Sequence, residues 1–92
     1  MKTTSIDFMM NYVKLYLDGN LSRMEFELDF NYYLMQHYDK MAREHTELAE
    51  AFYYYLSECG FDKGQGLSDT QFKKLIRNQY REVMDAARTG LF

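Results

Sequence analysis

The sequence contains one six-residue pattern twice, at residues 21–26 and 67–72. In each copy a leucine precedes a serine, a glutamate or glutamine follows the serine by three positions, and a phenylalanine comes next. The serine side chain accepts a hydrogen bond from a free N–H at the start of a helix, and the glutamate or glutamine reaches back to the N–H of the serine. The leucine packs on the phenylalanine as a hydrophobic staple. The pattern therefore predicts two helix starts, at Ser22 and Ser68.

Apolar residues with helical spacing extend this prediction to four helices. Their predicted ranges are about Ser5 to Asp18, from after Ser22 to Lys40, Thr46 to Cys59 and Asp69 to Arg88. Glycines predict the stops, which are Gly19 with Asn20, Gly60, and Gly90. The segment 60–66 holds three of the five glycines and predicts a loop. Residues 25–30 alternate as a strand would, but the capping box and the helical period that continues beyond them favour a helix.

The apolar stripes of these helices predict the core. It is expected to contain Ile6, Met9, Met10, Val13, Leu17, Phe26, Phe30, Tyr33, Leu34, His37, Met41, Leu48, Phe52, Tyr55, Leu56, Cys59, Phe72, Leu75, Ile76, Gln79, Val83 and Ala87. A chain of 92 residues is of single-domain size. Short connections make neighbouring helices reverse direction. We therefore expect residues 1–92 to form one all-α domain, an antiparallel four-helix bundle.

Charge is distributed unevenly along the chain. Residues 1–62 carry eleven acidic and five basic residues, whereas residues 63–92 carry three acidic and six basic ones. An acidic body disfavours direct binding of nucleic acid and favours a basic partner. No apolar run approaches the roughly 20 residues of a membrane span, so we expect no membrane contact. The lone Cys59 excludes an internal disulfide and predicts a cytoplasmic, reducing location.

The sequence shows no constellation of catalytic or metal-binding residues. His37 falls on the inner stripe of the second helix and His45 near a helix junction, whereas a metal site needs several such groups on one face. Cys59 occupies an apolar position without a basic neighbour that would activate it, which predicts a buried structural cysteine. We therefore expect no enzyme activity, no cofactor and no metal.

The third helix has an acidic face opposite its apolar stripe. At 100° per residue, Glu47, Glu50, Tyr54 and Glu58 lie within an arc of about 80°. Asp62 continues this face into the predicted loop. Tyrosine is enriched at the energetic centres of protein interfaces, and Tyr53 and Tyr54 flank the carboxylates. These residues are either an ordinary solvated face or a binding surface for a basic protein groove; the predicted contacts are Glu47, Glu50, Tyr53, Tyr54, Glu58 and Asp62.

Two further surfaces compete with this one. Additional apolar residues lie opposite the core stripes, on the second helix at Met24, Leu28 and Met35 and on the first at Phe8 and Leu15. They are either scattered surface residues or a contact patch for a second copy or a partner. The fourth helix carries a basic stripe, for which a solvated face is the favoured interpretation over nucleic-acid binding; its members are Lys74, Arg77, Arg81 and Arg88.

The order of these features resembles the colicin D type of immunity proteins and the helical immunity proteins of contact-dependent inhibition systems. The similarity lies in Ile6-Asp7, in Tyr16-Leu17 before Gly19, and in the pattern Leu21-Ser22-x-x-Glu25-Phe26. An acid-rich aromatic helix, Phe61-Asp62 and a capped amphipathic helix follow. The resemblance implies a four-helix bundle whose acidic side chains cover the basic active site of a toxic nuclease, often a tRNase.

The resulting expectation is a cytoplasmic immunity protein that binds a basic nuclease toxin domain one-to-one. Within this resemblance the matching positions are Glu58 and Asp62, with Glu47 and Glu50 on the same helix. The long fourth helix and the short glycine-rich loop depart from the family pattern. The alternative is a small helical regulator or adaptor that dimerises through the additional apolar face, and the oligomeric state stays open.

Overall fold

The structure is a computed structural model that describes residues 4–89, and every regular element in that range is helical. Helix α1 spans Ser5–Leu17, α2 spans Arg23–Glu44 and α4 spans Asp69–Thr89. Between α2 and α4, the short α-helix α3, Thr46–Phe52, continues directly into a π-helical segment, Tyr53–Asp62. We call α3 and this segment together the third helix. The prediction of an all-α chain with four helices is confirmed, and residues 25–30 lie in α2 rather than in a strand.

Both predicted capping boxes are present. Ser22 Oγ accepts a hydrogen bond from Glu25 N at 3.1 Å, and the Glu25 carboxylate accepts one from Ser22 N at 3.0 Å. This bonding lowers the pKa of Glu25, because it favours the ionised carboxylate. Ser68 Oγ accepts from Gln71 N at 3.2 Å, and Gln71 Oε1 accepts from Ser68 N at 3.4 Å. Each box satisfies N–H groups that the first turn of a helix leaves unpaired.

The start of α1 is capped partly from another helix. Thr4 Oγ1 accepts from Asp7 N at 3.0 Å, and the Glu44 carboxylate accepts from Ser5 N at 2.7 Å and from Ile6 N at 2.9 Å. A negative charge at a helix N-terminus is favourable. Gly19, at φ +86°, follows α1 as predicted, in a conformation that glycine adopts without strain. The stop predicted at Gly90 lies outside the described residues.

Helix α2 is one turn longer than predicted, ending at Glu44 instead of about Lys40. The stop is His45, whose extended backbone separates α2 from α3. Its Nδ1 also accepts a hydrogen bond from Leu48 N at 3.3 Å and so caps α3. No glycine marks this junction, so the sequence carries no stop signal of that kind at the end of α2.

The prediction that Gly60 ends the third helix is wrong. The π-helical segment continues to Asp62, and Gly60 is buried inside it. A β-carbon at position 60 would lie 3.1 Å from both Ile76 Cδ1 and the Tyr55 carbonyl oxygen. Gly60 therefore packs closely against Ile76 of α4, and the loop is confined to residues 63–68.

An aromatic cluster centred on Phe26 forms the core. The Phe26 ring centroid lies 4.6 Å from that of Tyr16, 5.1 Å from Phe30, and 6.3 Å from both Phe61 and Phe72. Most predicted core residues are buried. The apolar stripes missed the buried tyrosines Tyr12 and Tyr16, the alanines Ala49, Ala51 and Ala86, and Phe61.

Several predicted core positions are less buried than expected. Ala87 is exposed, and the buried alanine of the last turn is its neighbour Ala86. Cys59 is half-buried instead of fully buried. The other half-buried members of the predicted set are Met10, Tyr33, His37, Leu48, Tyr55, Leu75 and Gln79. Of these, Met10, Tyr33, Leu48 and Tyr55 pack against the buried core.

The first residue of α2 ties that helix to the loop and to α4. Arg23 Nη1 donates to the Leu67 carbonyl oxygen at 2.7 Å and to Asp69 Oδ1 at 2.9 Å, and Arg23 Nε donates to Glu27. Its guanidinium carbon lies 4.3 Å from the centroid of the Phe72 ring. A planar guanidinium can make several such contacts at once, so Arg23 fixes the chain ahead of the fourth helix.

We expect Gly64→Ala to destabilise the fold and Gly66→Ala to leave it stable. A β-carbon at Gly64 would lie 2.6 Å from Phe72 Cδ1, whereas nothing lies within 4 Å of one at Gly66. Overpacking of this kind costs about 1–3 kcal/mol, while an accommodated alanine stabilises by up to about 1 kcal/mol. Urea unfolding of both variants measures the difference. Equal free energies of unfolding would contradict the packing of the loop on Phe72.

We expect stability to fall between pH 10 and pH 12, in part because of Tyr12. Burial, and secondarily the Asp29 carboxylate, raise its pKa from 10.0 to about 12. The unfolded chain loses this proton first, so the stabilisation is complete below pH 10 and is lost as the pH rises through the folded-state pKa. Tyr12→Phe removes a hydrogen bond to the Phe26 carbonyl oxygen, worth about 1 kcal/mol.

Urea melts at pH 8 and pH 11 test this expectation. Tyr12→Phe should be less stable than the wild type at pH 8 but should lose less stability on going to pH 11. A larger loss in the variant than in the wild type would contradict the assignment.

Candidate protein-binding interface

The acidic face of the third helix is continuous through the π-helical segment. Glu50, Tyr54, Glu58 and Asp62 follow one another at intervals of four residues, and all four are exposed. A π-helix bonds residue i to i+5 and so holds more residues per turn than an α-helix. Residues four apart therefore stay nearly in line along it. Asp62, which was predicted to lie in the loop, is the last residue of the segment and extends the face by one turn.

All six predicted contact residues are exposed, but they do not all point the same way. Tyr53 lies with its ring edge against Tyr38 of α2, at a centroid distance of 5.6 Å and an interplanar angle of 70°. Tyr54 contacts Tyr55 at 5.0 Å instead. Tyr53 therefore turns toward α2, while Tyr54 stays with the carboxylates. Each tyrosine keeps about half of its surface exposed, 42% for Tyr53 and 52% for Tyr54.

The negative charge of this face is not neutralised from within the described chain. Among residues 4–89, none of Glu47, Glu50, Glu58 and Asp62 forms an ion pair. The neighbouring Glu44, by contrast, is used in capping α1. Unpaired carboxylates on one face produce a negative potential that attracts a basic partner.

Tyr54 and Cys59 form a local contact within the π-helical segment. The hydrogen bond with Cys59 raises the pKa of Tyr54, and the Glu58 carboxylate adds to the effect. The two residues are five apart, which matches the bonding period of a π-helix. Cys59 is thus half-buried beneath the acidic face.

The two histidines take part in helix packing. The His37 ring stacks on Phe8 at a centroid distance of 4.5 Å, and its Nδ1 lies 3.3 Å from Ser5 Oγ. His45 caps α3, as described above. Within residues 4–89, no three histidine, cysteine or acidic side chains are grouped as a metal site would require.

The additional apolar residues of α2 form an exposed stripe. Met24 is 79% exposed, Leu28 76% and Met35 82%. Tyr32, at 57%, lies on the same side of α2 and adds to the stripe that was predicted from Met24, Leu28 and Met35. Phe8 of α1 does not extend this stripe, since its ring packs on Tyr33 and His37.

A surface groove of about 460 Å³ connects this stripe to the third helix. Its lining residues come from α2 and from the π-helical segment; they are Asn31, Leu34, Met35, Tyr38, Asp39, Tyr53 and Ser57. The groove joins the end of the apolar stripe, at Met35, to Tyr53 at the edge of the acidic face. The apolar stripe and the acidic face, which the sequence offers as alternative binding surfaces, therefore lie next to each other in the structure.

The basic stripe of α4 is partly occupied by structural contacts. Arg77 Nη2 donates to the Leu17 carbonyl oxygen at 3.1 Å, and Arg88 pairs with Asp85 at 2.6 Å. The neighbouring Lys73 lies 5.1 Å from the centroid of the Tyr16 ring. Lys74 and Arg81 are exposed. These contacts favour the interpretation of the basic stripe as a solvated face, in which Arg77 also stabilises the end of α1.

None of the described helices is both long enough and apolar enough to cross a membrane. In comparisons with known proteins, no family model, no curated protein and no solved structure matches the chain.

Proposed function

We propose that this chain is a cytoplasmic immunity protein that binds a basic nuclease toxin domain one-to-one and covers its active site. The observation that carries the proposal is the row of exposed carboxylates along the third helix, which form no ion pair with any residue in the range 4–89. In this role the protein needs no catalytic residue, cofactor or metal of its own. It contacts the toxin and not the nucleic acid.

The physics of a nuclease cleft supports this assignment. A cleft that binds RNA phosphates is basic, so an inhibitor that occupies it should be acidic. Complementary potentials raise the association rate above the neutral range. An inhibitor benefits from this rate because it must capture the toxin before the substrate is cleaved. We extend the resemblance to the colicin D type of immunity proteins accordingly, including its preference for tRNA-cleaving toxins.

Glu58 and Asp62 are the two carboxylates that match the family pattern. Both belong to the π-helical segment, so the helical backbone restricts their positions before a partner arrives. Less conformational entropy is then lost on binding than for acids on a flexible loop.

We further propose that the four helices alternate in direction, as in an antiparallel bundle. Two contacts support this arrangement. Glu44 at the end of α2 bonds to the first amides of α1, and Arg77 of α4 bonds to Leu17 at the end of α1. Helix α1 neighbours α2 and α4, and α3 neighbours the same two helices.

One observation favours a second candidate function. Met24, Leu28 and Met35 are all largely exposed and lie along one side of α2. Apolar residues grouped in this way are more typical of a contact site than single apolar residues scattered over a surface. It would suit a helical regulator or adaptor that dimerises through α2.

We expect the double variant Glu58→Lys/Asp62→Lys to lose protection against the cognate toxin in co-expression. Both residues are exposed, and a cation near the end of a helix is favourable, so the fold should persist. The association rate should fall by about tenfold or more at low salt. The matched control is Glu82→Lys/Asp85→Lys, which makes the same charge change on two exposed residues of α4.

The salt dependence completes this experiment. The wild-type association rate should fall as ionic strength rises, because screening shortens the range of the attraction. If both double variants protect equally and bind at the wild-type rate, the third helix is not the inhibitory surface.

Leu28→Lys separates the two candidate functions. Under the immunity proposal, this variant should keep full protection, and sedimentation of the wild type should not depend on concentration. A wild-type dimer that Leu28→Lys dissociates, together with loss of activity, would favour the regulator instead.

A further inference from the structure

The groove between α2 and the π-helical segment has walls suited to a long side chain. Met35 and Tyr53 form exposed parts of these walls, and Leu34 lies beneath them at 4% exposure. The Tyr38 ring meets Tyr53 at the boundary of the two helices. Methionine and tyrosine adapt readily to an inserted chain, and each tyrosine presents an electron-rich face.

One polar group at the base of the groove lacks a partner. Ser57 is only 4% exposed, yet no hydrogen bond joins its hydroxyl to another described residue. Every fully buried side-chain oxygen of the described residues has a hydrogen-bond partner. The Ser57 hydroxyl has none among them, so it is not fully buried, and its exposed part faces the groove that Ser57 lines. Partly buried hydroxyl groups are normally hydrogen-bonded. Ser57 is therefore a free acceptor for an incoming donor.

The charges around the groove select a cation. Asp39 is the one ionised side chain in its lining. The carboxylates of Glu50 and Asp39 both act on the neighbouring Tyr38: burial is the main cause of its raised pKa, and these two negative charges add to it. A donor-rich cation with an apolar stem would satisfy every part of this site.

We propose that the groove receives one arginine side chain of the protein partner. The aliphatic stem would lie along Met35, the guanidinium would stack on Tyr38 or Tyr53, and its N–H groups would donate to Asp39 and to the Ser57 hydroxyl. Arginine fits better than lysine because its planar guanidinium both stacks on aromatic rings and donates in several directions.

This inference deepens the proposed function, on which it rests for the identity of the partner. A basic toxin domain would place its phosphate-binding cleft against the carboxylates of the third helix and insert one arginine beside them. The groove would then provide the anchored centre of the interface, whereas the exposed carboxylates mainly accelerate encounter.

The test uses the full chain with isotope-labelled methionine methyl groups and the probe N-acetyl-arginine amide. Titration followed by nuclear magnetic resonance should shift the Met35 methyl signal saturably. Met24 is the internal control, since it is equally exposed on the same helix but lies outside the groove. N-acetyl-citrulline amide has nearly the same shape without the charge, and should bind at least about fivefold more weakly.

Two variants locate the site. Asp39→Asn should weaken binding of the arginine probe by roughly three- to fivefold, and Ser57→Ala should also weaken it without loss of helical structure. Glu82→Gln, which removes an exposed carboxylate of α4 outside the groove, should leave the affinity unchanged. Equal shifts at Met35 and Met24, or the absence of saturation at Met35, would overturn the inference.

The outcomes for the groove and for the immunity function are separable. Saturable binding at Met35 combined with full protection by Glu58→Lys/Asp62→Lys would reject the proposed inhibitory surface but retain an arginine site. Loss of protection in that double variant without probe binding at Met35 would retain the immunity proposal and reject the arginine site.

Discussion

The packing of the Phe26 ring is the interaction on which the rest of the structure depends. Rings from α1, from the π-helical segment and from α4 all contact it, through Tyr16, Phe61 and Phe72. Closely packed aromatic rings tolerate little displacement. Phe61 directly precedes Asp62, so the ring cluster that joins the helices also determines how the acidic face is presented.

The sequence predicts those parts of the fold that depend on local bonding. Ser22 and Ser68 each accept a hydrogen bond from an N–H three residues away, which six consecutive residues are sufficient to encode. The end of α2 at His45 and the passage of the third helix through Gly60 depend on tertiary packing, and neither was predicted. Gly60 is a helix stop by local preference, but its contact with Ile76 makes it a packing position instead.

The candidate site was likewise predictable only in part. The exposed carboxylates were found because alternation between acidic and apolar residues is visible in one helix. Asp62 was predicted to continue this face, but as a loop residue, because Gly60 was expected to end the helix; the π-helical segment that contains Asp62 was not predicted. The groove could not be predicted, since Met35 and Ser57 are brought together by the packing of separate helices. The free hydroxyl of Ser57 likewise has no signature in the sequence.

The acidic third helix and the basic α4 pack against each other, so charges of opposite sign are held on adjacent sides of a body only 34 × 23 × 21 Å in extent. Such a separation gives the molecule an electric dipole in addition to its net charge of −3. The field of a basic protein would exert a torque on this dipole. Such a torque would turn the third helix toward that protein before any side chain makes contact.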